Sequence, residues 1–265
     1  MVNDTLYHLG FGRSDLGDSP VKTALLSGDP GRALQIAEQS FEDTRCLSEN
    51  RGLNSYLGTI DGRPVISATS GMGAPSLSII VNELVQLGVT TIIRVGTSGS
   101  IQPYVKVGSV VVSSASLCLQ GAALDIAPAE YPAVADPFLT VALSNAAERL
   151  AIPSHVGITA SVDTFYEGQG RKGSANPNLL RRHHGMVEEF ANLNVLNFEM
   201  EAGTLFKMAG AYGFRAACVC AIIAQRTDSE EVVMEHKDVA VSNAIQVAVE
   251  AIRLGMIPIR FNTGI

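Results

Sequence analysis

Two arginines sit where a cation needs a reason. Arg94 ends the apolar run Ile92-Ile93-Arg94, and Arg32 closes the turn Ser27-Gly28-Asp29-Pro30-Gly31-Arg32. A guanidinium at the end of an apolar strand is costly to bury alone, and its planar fork suits phosphate or carboxylate. Two partners stand open for it: a fixed anionic ligand, or an internal salt bridge to an Asp or Glu. Two further glycine turns each follow an expected strand: Ser70-Gly71-Met72-Gly73-Ala74-Pro75-Ser76, and Arg94-Val95-Gly96-Thr97-Ser98-Gly99. Backbone N–H groups in such turns can approach an anion, and a following helix N-terminus adds positive partial charge. None is a dinucleotide fingerprint, since Ser76 stands where the third glycine belongs, and none is a P-loop, since no Gly-Lys-Ser/Thr follows. Taken singly each is an ordinary tight turn; the weight comes from the arginines within or beside two of them.

Two other constellations carry polar chemistry. Asn197-Phe198-Glu199-Met200-Glu201 is expected to open a helix with Leu205, Met208 and Tyr212 on one face. Acids at a helix start ordinarily serve the helix dipole; the functional reading is a carboxylate that accepts hydrogen bonds from vicinal sugar hydroxyls. In Asp163-Thr164-Phe165-Tyr166-Glu167-Gly168-Gln169-Gly170-Arg171, Gln offers an acceptor and two donors, Arg a planar fork and Phe a stacking face. Together they suit a planar, amide-bearing ring such as uracil. The histidines form no metal motif: H-E-x-x-H is absent, and His183-His184 beside Arg181 and Arg182 reads as a solvated face. No G-x-S-x-G elbow occurs either, so chemistry without a protein nucleophile fits best.

These residues need a rigid frame. Continuous β-branched runs at 21–27, 64–69, 90–95, 109–113, 155–160 and 216–224 read as strands covered on both faces. Helical spacing links Leu77, Ile80, Val81 and Leu84, then Leu139, Leu143, Ala146 and Leu150, then Val241, Ile245, Ala248 and Ile252. The alternation predicts an α/β fold with a mixed or mainly parallel sheet, and no linker or repeat divides residues 1–265, so one domain is expected. Segments 167–177 and 226–236 read as long surface loops. At 46% hydrophobic and 17% charged, the 265-residue chain can bury a sizeable core. A net charge of −7 excludes a general polyanion binder such as a nucleic-acid protein, but not a small anion held by a few arginines. Four cysteines show neither C-x-x-C nor zinc spacing; Cys218 and Cys220 belong to a core strand, and a reducing compartment fits. No apolar run approaches the roughly 20 residues that span a bilayer, and residues 1–10 lack a signal-peptide pattern. A cytoplasmic protein without membrane attachment is the expectation.

The run Thr69-Ser70-Gly71-Met72-Gly73-Ala74-Pro75-Ser76-Leu77-Ser78-Ile79, followed by Glu83-Leu84, resembles the signature of the nucleoside phosphorylase superfamily of the hexameric type. The likeness extends from Tyr7-His8-Leu9-Gly10 to about Leu254. Phe165-Tyr166, Gln169, Arg171 and Arg226-Thr227 resemble its uridine branch. Purine enzymes of this type carry Ser-Asp near the last of these, where this chain has Ala224-Gln225-Arg226. The resemblance implies a three-layer α/β/α domain with a mixed, distorted, barrel-like central sheet. It also implies reversible phosphorolysis of uridine to uracil and ribose 1-phosphate, a pyrimidine salvage reaction. Purine or broader specificity, and a hydrolytic nucleosidase, are the alternatives.

By the same resemblance, Gly28, Arg32, Arg94 and Thr97 surround phosphate, completed by Arg51 across a subunit boundary. Met200, Glu201 and Thr97 meet ribose, with His8 reaching in from a neighbour. Phe165, Gln169, Arg171 and Ile223 meet the base, and Arg226 acts near the uracil carbonyl. Arg94, Glu201 and Arg226 are the catalytic candidates, and Arg94 is expected to be dispensable for folding. The implied assembly is a homohexamer, a trimer of dimers with shared sites. No cofactor or metal is called for beyond inorganic phosphate as co-substrate. Gly52 stands where bacterial uridine enzymes of the family commonly have a Glu that helps bind a monovalent cation, which leaves that ion site in question. Segment 227–237 is a candidate lid, and 255–265 is an extra tail without an assigned role.

Overall fold

The computed structural model describes residues 4–227 and 234–255. Most of the candidate lid (228–233) and of the tail (256–265) lies outside the described residues. Nine strands form one sheet: β1 Thr23–Ser27, β2 Glu42–Ser48, β3 Ser55–Ile60, β4 Arg63–Thr69, β5 Thr91–Ser100, β6 Val110–Cys118, β7 Ser154–Ser161, β8 Val195–Glu199 and β9 Arg215–Gln225. Their order is β2-β3-β4-β1-β5-β8-β7-β6-β9, and β9 returns to pair with β5. Five strands thus close into a barrel, and β1, β4, β3 and β2 extend from β5 as an open wing. The sheet is mixed: β5 runs parallel to β1 and β9 but antiparallel to β8.

Successive residues of a strand face opposite sides, and here both sides are covered by helix. Leu26, Ile92 and Cys218 share one core with Leu77 and Ile80 of α2 (Ala74–Gln86) and with Leu205 and Phe206 of α6 (Ala202–Tyr212). Leu25, Ile93 and Val219 share the other with Leu139 and Leu143 of α4 (Pro137–Arg149) and Ile245 and Ala248 of α7 (Met234–Arg253). Ile36 of α1 (Pro30–Ser40) joins this second core. The result is the three-layer α/β/α arrangement with a barrel-like sheet. The shorter α3 (Gly121–Leu124) and α5 (Met186–Asn192) flank it.

The helical spacings at 77–84 and 241–252 fall on helices, that at 139–150 does so up to its last residue, Leu150, the C-cap of α4, and Cys218 and Cys220 are buried. Four local readings need correction. The third glycine turn is not a turn: β5 runs unbroken through Gly96 and Gly99 to Ser100. Residues 197–199 end strand β8 rather than opening a helix, and Glu201 is the N-cap residue of α6. Segment 167–177 is not wholly a surface loop, because Gln169 and Arg171 are 3% and 6% exposed. Segment 226–236 is not one either, since Arg226 is buried and α7 begins at Met234.

Candidate active site

β5 carries the centre of the site, and its two glycines explain how. A Cβ on Gly96 would lie 2.8 Å from Cys220 Sγ, 3.0 Å from Arg94 Nη2 and 3.2 Å from Arg94 Cζ. A Cβ on Gly99 would meet Arg226 Cδ at 3.1 Å and approach Arg171 Nη2 at 3.8 Å. Both positions lack a side chain so that arginines can lie flat against the strand.

Arg94 is 4% exposed and uses two edges of its guanidinium internally. Nε donates to Glu199 Oε2 at 3.2 Å, and Nη2 donates to Glu201 Oε2. The internal salt bridge left open by the sequence is therefore real. It does not exhaust the side chain: Nη1 is buried with no hydrogen bond among the described residues and faces the Gly28 turn. Burial works against the Arg94 cation, but the carboxylates of Glu201 and Glu199 outweigh it and hold the guanidinium more firmly protonated than usual.

Both carboxylates are themselves fixed by backbone. Glu199 Oε2 also accepts from the N–H groups of Glu201 and Ala202, each at 2.8 Å, and so satisfies the first donors of α6. Burial raises the Glu199 carboxyl above its ordinary range, with Arg94 pulling the other way. Glu201 Oε1 accepts from the Gly73 N–H at 2.6 Å, at the N-terminus of α2. The second glycine turn does meet an anion, and that anion is the protein's own carboxylate. In the first turn, Asp29 caps α1 by accepting from Gly31 N at 2.7 Å, with Pro30 in the first helical turn. The cap swings Arg32 under the strand ends, where Nη1 reaches Ser27 Oγ and the Val95 carbonyl at 3.4 Å each. Arg32 Nε is buried without a hydrogen-bond partner among the described residues. Burial, then the nearby Arg94, lower the Arg32 guanidinium's affinity for its proton. An anion beside both cations would relieve that strain.

Across the cavity, Arg171 Cζ lies 4.1 Å from the Phe165 ring centroid, and its Nε donates to Gln169 Oε1 at 3.2 Å. The Gln169 amide keeps its NH2 donors and a second lone pair on Oε1. Gln169 and Arg171 together present several donors and one acceptor, suited to a planar ring edge that carries carbonyl oxygens and an N–H. Arg226 stacks over Phe198 at 5.3 Å and anchors its own N–H on the Ser100 carbonyl at 2.8 Å.

These parts enclose a cavity of about 450 Å³, within the range of small-molecule sites. Gly28, Arg32, Arg94, Thr97, Met200 and Glu201 line one end, and Phe165, Gln169, Arg171 and Ile223 line it too. Arg226 stands behind Gly99 rather than on the lining. His8 and Arg51 are not brought to this cavity. His8 Nδ1 bonds Glu83 Oε1 at 2.6 Å beside a second, more open cleft, and Arg51 donates to the Tyr7 hydroxyl at 3.0 Å on the surface. Sequence reading missed Glu199 as the partner of Arg94, and it missed Lys237, which reaches the lining from the first turns of α7. The Glu-x-Glu spacing was the available signal for Glu199. Lys237 had none, being one lysine in a polar stretch.

Residues 22–253 match the family described as the Phosphorylase superfamily. Uridine phosphorylase of Escherichia coli (strain K12) is 41% identical over 253 residues, covering 96% of this chain and 99% of that protein. Uridine phosphorylase of Haemophilus influenzae is 42% identical over 225 residues, covering 85% and 88%. The protein of that name from Thermococcus kodakarensis is 38% identical over 248 residues, covering 92% and 87%.

Proposed function

The chain belongs to the phosphorylase superfamily, and we propose that it is a uridine phosphorylase, cleaving uridine with inorganic phosphate to uracil and ribose 1-phosphate. The observation that carries the phosphate half is that Arg94 and Arg32, which line one cavity with Gly28, each keep a buried donor, Nη1 and Nε, without a hydrogen bond among the described residues. A dianion there gains two charge-assisted contacts that the fold has already desolvated. Glu201, fixed by Arg94 and Gly73, takes the ribose hydroxyls with Met200 and Thr97 at its side. Phosphate oxygen attacks C1′ while the C1′–N1 bond breaks, and the bonding pair leaves with uracil. Gln169 and Arg171 then face the carbonyl oxygens onto which that charge spreads, Phe165 covers the ring, and Ile223 closes its apolar side. Arg226 acts behind them, near the same carbonyls. Both bond changes are polar and occur on the substrates, so the reaction needs phosphate as co-substrate and no other cofactor. Gly52 offers no carboxylate, and we assign no monovalent-cation site there.

In this reading the chain is one catalytic domain of a cytoplasmic homohexamer, a trimer of dimers. The absence, among the described residues, of a helix long and apolar enough to cross a membrane is compatible with that. The placement of His8 and Arg51 away from their own chain's cavity supports sites shared across a dimer, where a neighbour supplies both. The test is release of free base from uridine, thymidine, cytidine and inosine, each with and without phosphate. Uracil release that requires phosphate and exceeds base release from inosine is the expected result. Release without phosphate makes the protein a hydrolase, and preference for inosine overturns the pyrimidine assignment.

A further inference from the structure

Behind the cavity wall, three hydroxyl and carboxylate groups form a chain that ends on Arg94. Ser161, the last residue of β7, pairs in register with Glu199, the last of β8. Its hydroxyl donates to Glu199 Oε1, accepts the Gly203 N–H at 2.8 Å and lies 2.7 Å from Ser116 Oγ. Ser161 is fully buried and does not line the cavity. Glu199 therefore receives Ser161 on one oxygen, and Arg94 Nε with two α6 amides on the other.

We propose that Ser161 is a positioning residue of the reaction: its hydroxyl keeps Glu199 ionised and aimed, so that Arg94 turns its Nη1 edge toward the anion site. The inference rests on the phosphorolysis reading for its kinetic consequences, though not for its chemistry. A carboxylate in a fully buried place stays charged only while enough donors face it. The titratable and charged groups that face Glu199 are Arg94 from β5, Glu201 on its own C-terminal side, Cys118 from β6 and Cys218 from β9. Arg94 is the cation among these, and Ser161 is the side-chain hydroxyl donor to Glu199. Burial already pushes this carboxyl up, so loss of the Ser161 donor pushes it further in the same direction. A protonated Glu199 no longer attracts Arg94 Nε, and the guanidinium is free to swing toward Glu201. The proton needed for activity to fail is then taken up at a higher pH.

The experiment compares wild type with Ser161→Ala, measuring kcat/KM for phosphate along the acid limb of the pH profile. The limb is expected to move up by about one to two pH units, the value of one lost hydrogen bond to a charged group. At the alkaline end the variant recovers most of the wild-type rate, and the KM for phosphate moves more than the KM for uridine. Ser161→Thr keeps the hydroxyl and returns the limb toward wild type. Ser161→Cys, a weak donor of similar size, gives an intermediate shift if the alanine variant does not fold. Independently of turnover, carbon-13 titration of the Glu199 carboxyl in labelled protein should show the same upward shift. A limb and a carboxyl titration that both stay in place in folded Ser161→Ala overturn the proposal, whatever happens to its Tm. Wild type that releases no uracil with phosphate overturns the functional reading instead, and the carboxyl titration still decides the role of Ser161.

Discussion

At the end of the cavity built on β5 and β8, Arg94 is 4% exposed and held between two carboxylates. At the end built on segment 164–171, Arg171 is nearly as buried, and its contacts there include an aromatic ring and an amide. The first arrangement is fixed by strand ends and helix N-termini, so its geometry belongs to the fold. The second stands on a short 3-10 turn, Glu167–Gln169, and its stacking ring, Phe165, is 43% exposed. In the proposed reaction, the group assigned to the dianion is thus locked in place, whereas the face assigned to the departing base can adjust around it. The difference predicts that damage at the first end will be felt in both stability and rate, and at the second end in rate alone.

The largest effect is expected from Arg94→Ala. Loss of a charged transition-state contact should reduce kcat/KM on the order of 10²–10³. The variant also leaves Glu199 and Glu201 buried without their cation, a cost of about 3–5 kcal/mol that thermal denaturation will report. The same measurement tests the expectation that Arg94 is dispensable for folding. A variant with wild-type Tm would show that the two ends of the cavity do not differ in this way. Gly96→Ala comes next: the new methyl displaces the Arg94 guanidinium, and misplacement of that kind should lower kcat/KM on the order of tenfold to a hundredfold. A crystal structure of the variant with Arg94 unmoved and full activity would show that Gly96 does not place Arg94.

Arg171→Lys tests the opposite end. The lysine loses both the planar fork and the ring contact, and about tenfold in kcat/KM for uridine should follow with little change in Tm. If Tm falls as far as in Arg94→Ala, the two ends are not built differently. Phe165→Leu is the mildest, at about two- to tenfold in the KM for uridine, from loss of an aromatic contact of ~0.5–1.5 kcal/mol. An increase in the KM for phosphate of similar size would mean that the ring serves both substrates.

Much of the frame could be read from apolar continuity, because strands covered on both sides have no polar alternation to hide them. Three strands could not. β2 is polar and largely exposed along its length, so it carries no burial pattern. β3 contains Gly58, which reads as a turn signal. Its real cause is crowding, since a Cβ there would sit 2.7 Å from Phe41 Cβ. β8 ends in Asn197, Phe198 and Glu199, where two polar residues flank one apolar residue and break the apolar continuity of a strand. The same confusion made a turn of 94–99, where Gly96 makes room for the guanidinium of Arg94 itself and Gly99 for Arg226 and Arg171, which lie far away in sequence. Arg94 stood out because a cation ending an apolar run requires a partner, whereas Arg32, Glu201, Gln169 and Arg171 stood out by the chemistry of their neighbours and by resemblance to the family. Ser161 was not, because a serine closing an apolar strand looks the same whether or not a carboxylate awaits it.

Barrel closure has a further consequence, for the order in which the molecule can be made. β5 is complete early in the chain, yet its partner on the barrel side is β9, with Thr91 paired to Arg215 in parallel register. β6 waits for the same strand, with Val110 paired to Ala221. Until β9 emerges from the ribosome, two apolar strands stand with unsatisfied edges close together, and the closing contact spans nearly half the polypeptide. Such closures carry a large loop entropy and are slow, and open edges of this kind invite intermolecular pairing. Chains interrupted before β9 should therefore accumulate as aggregates rather than as smaller folded units.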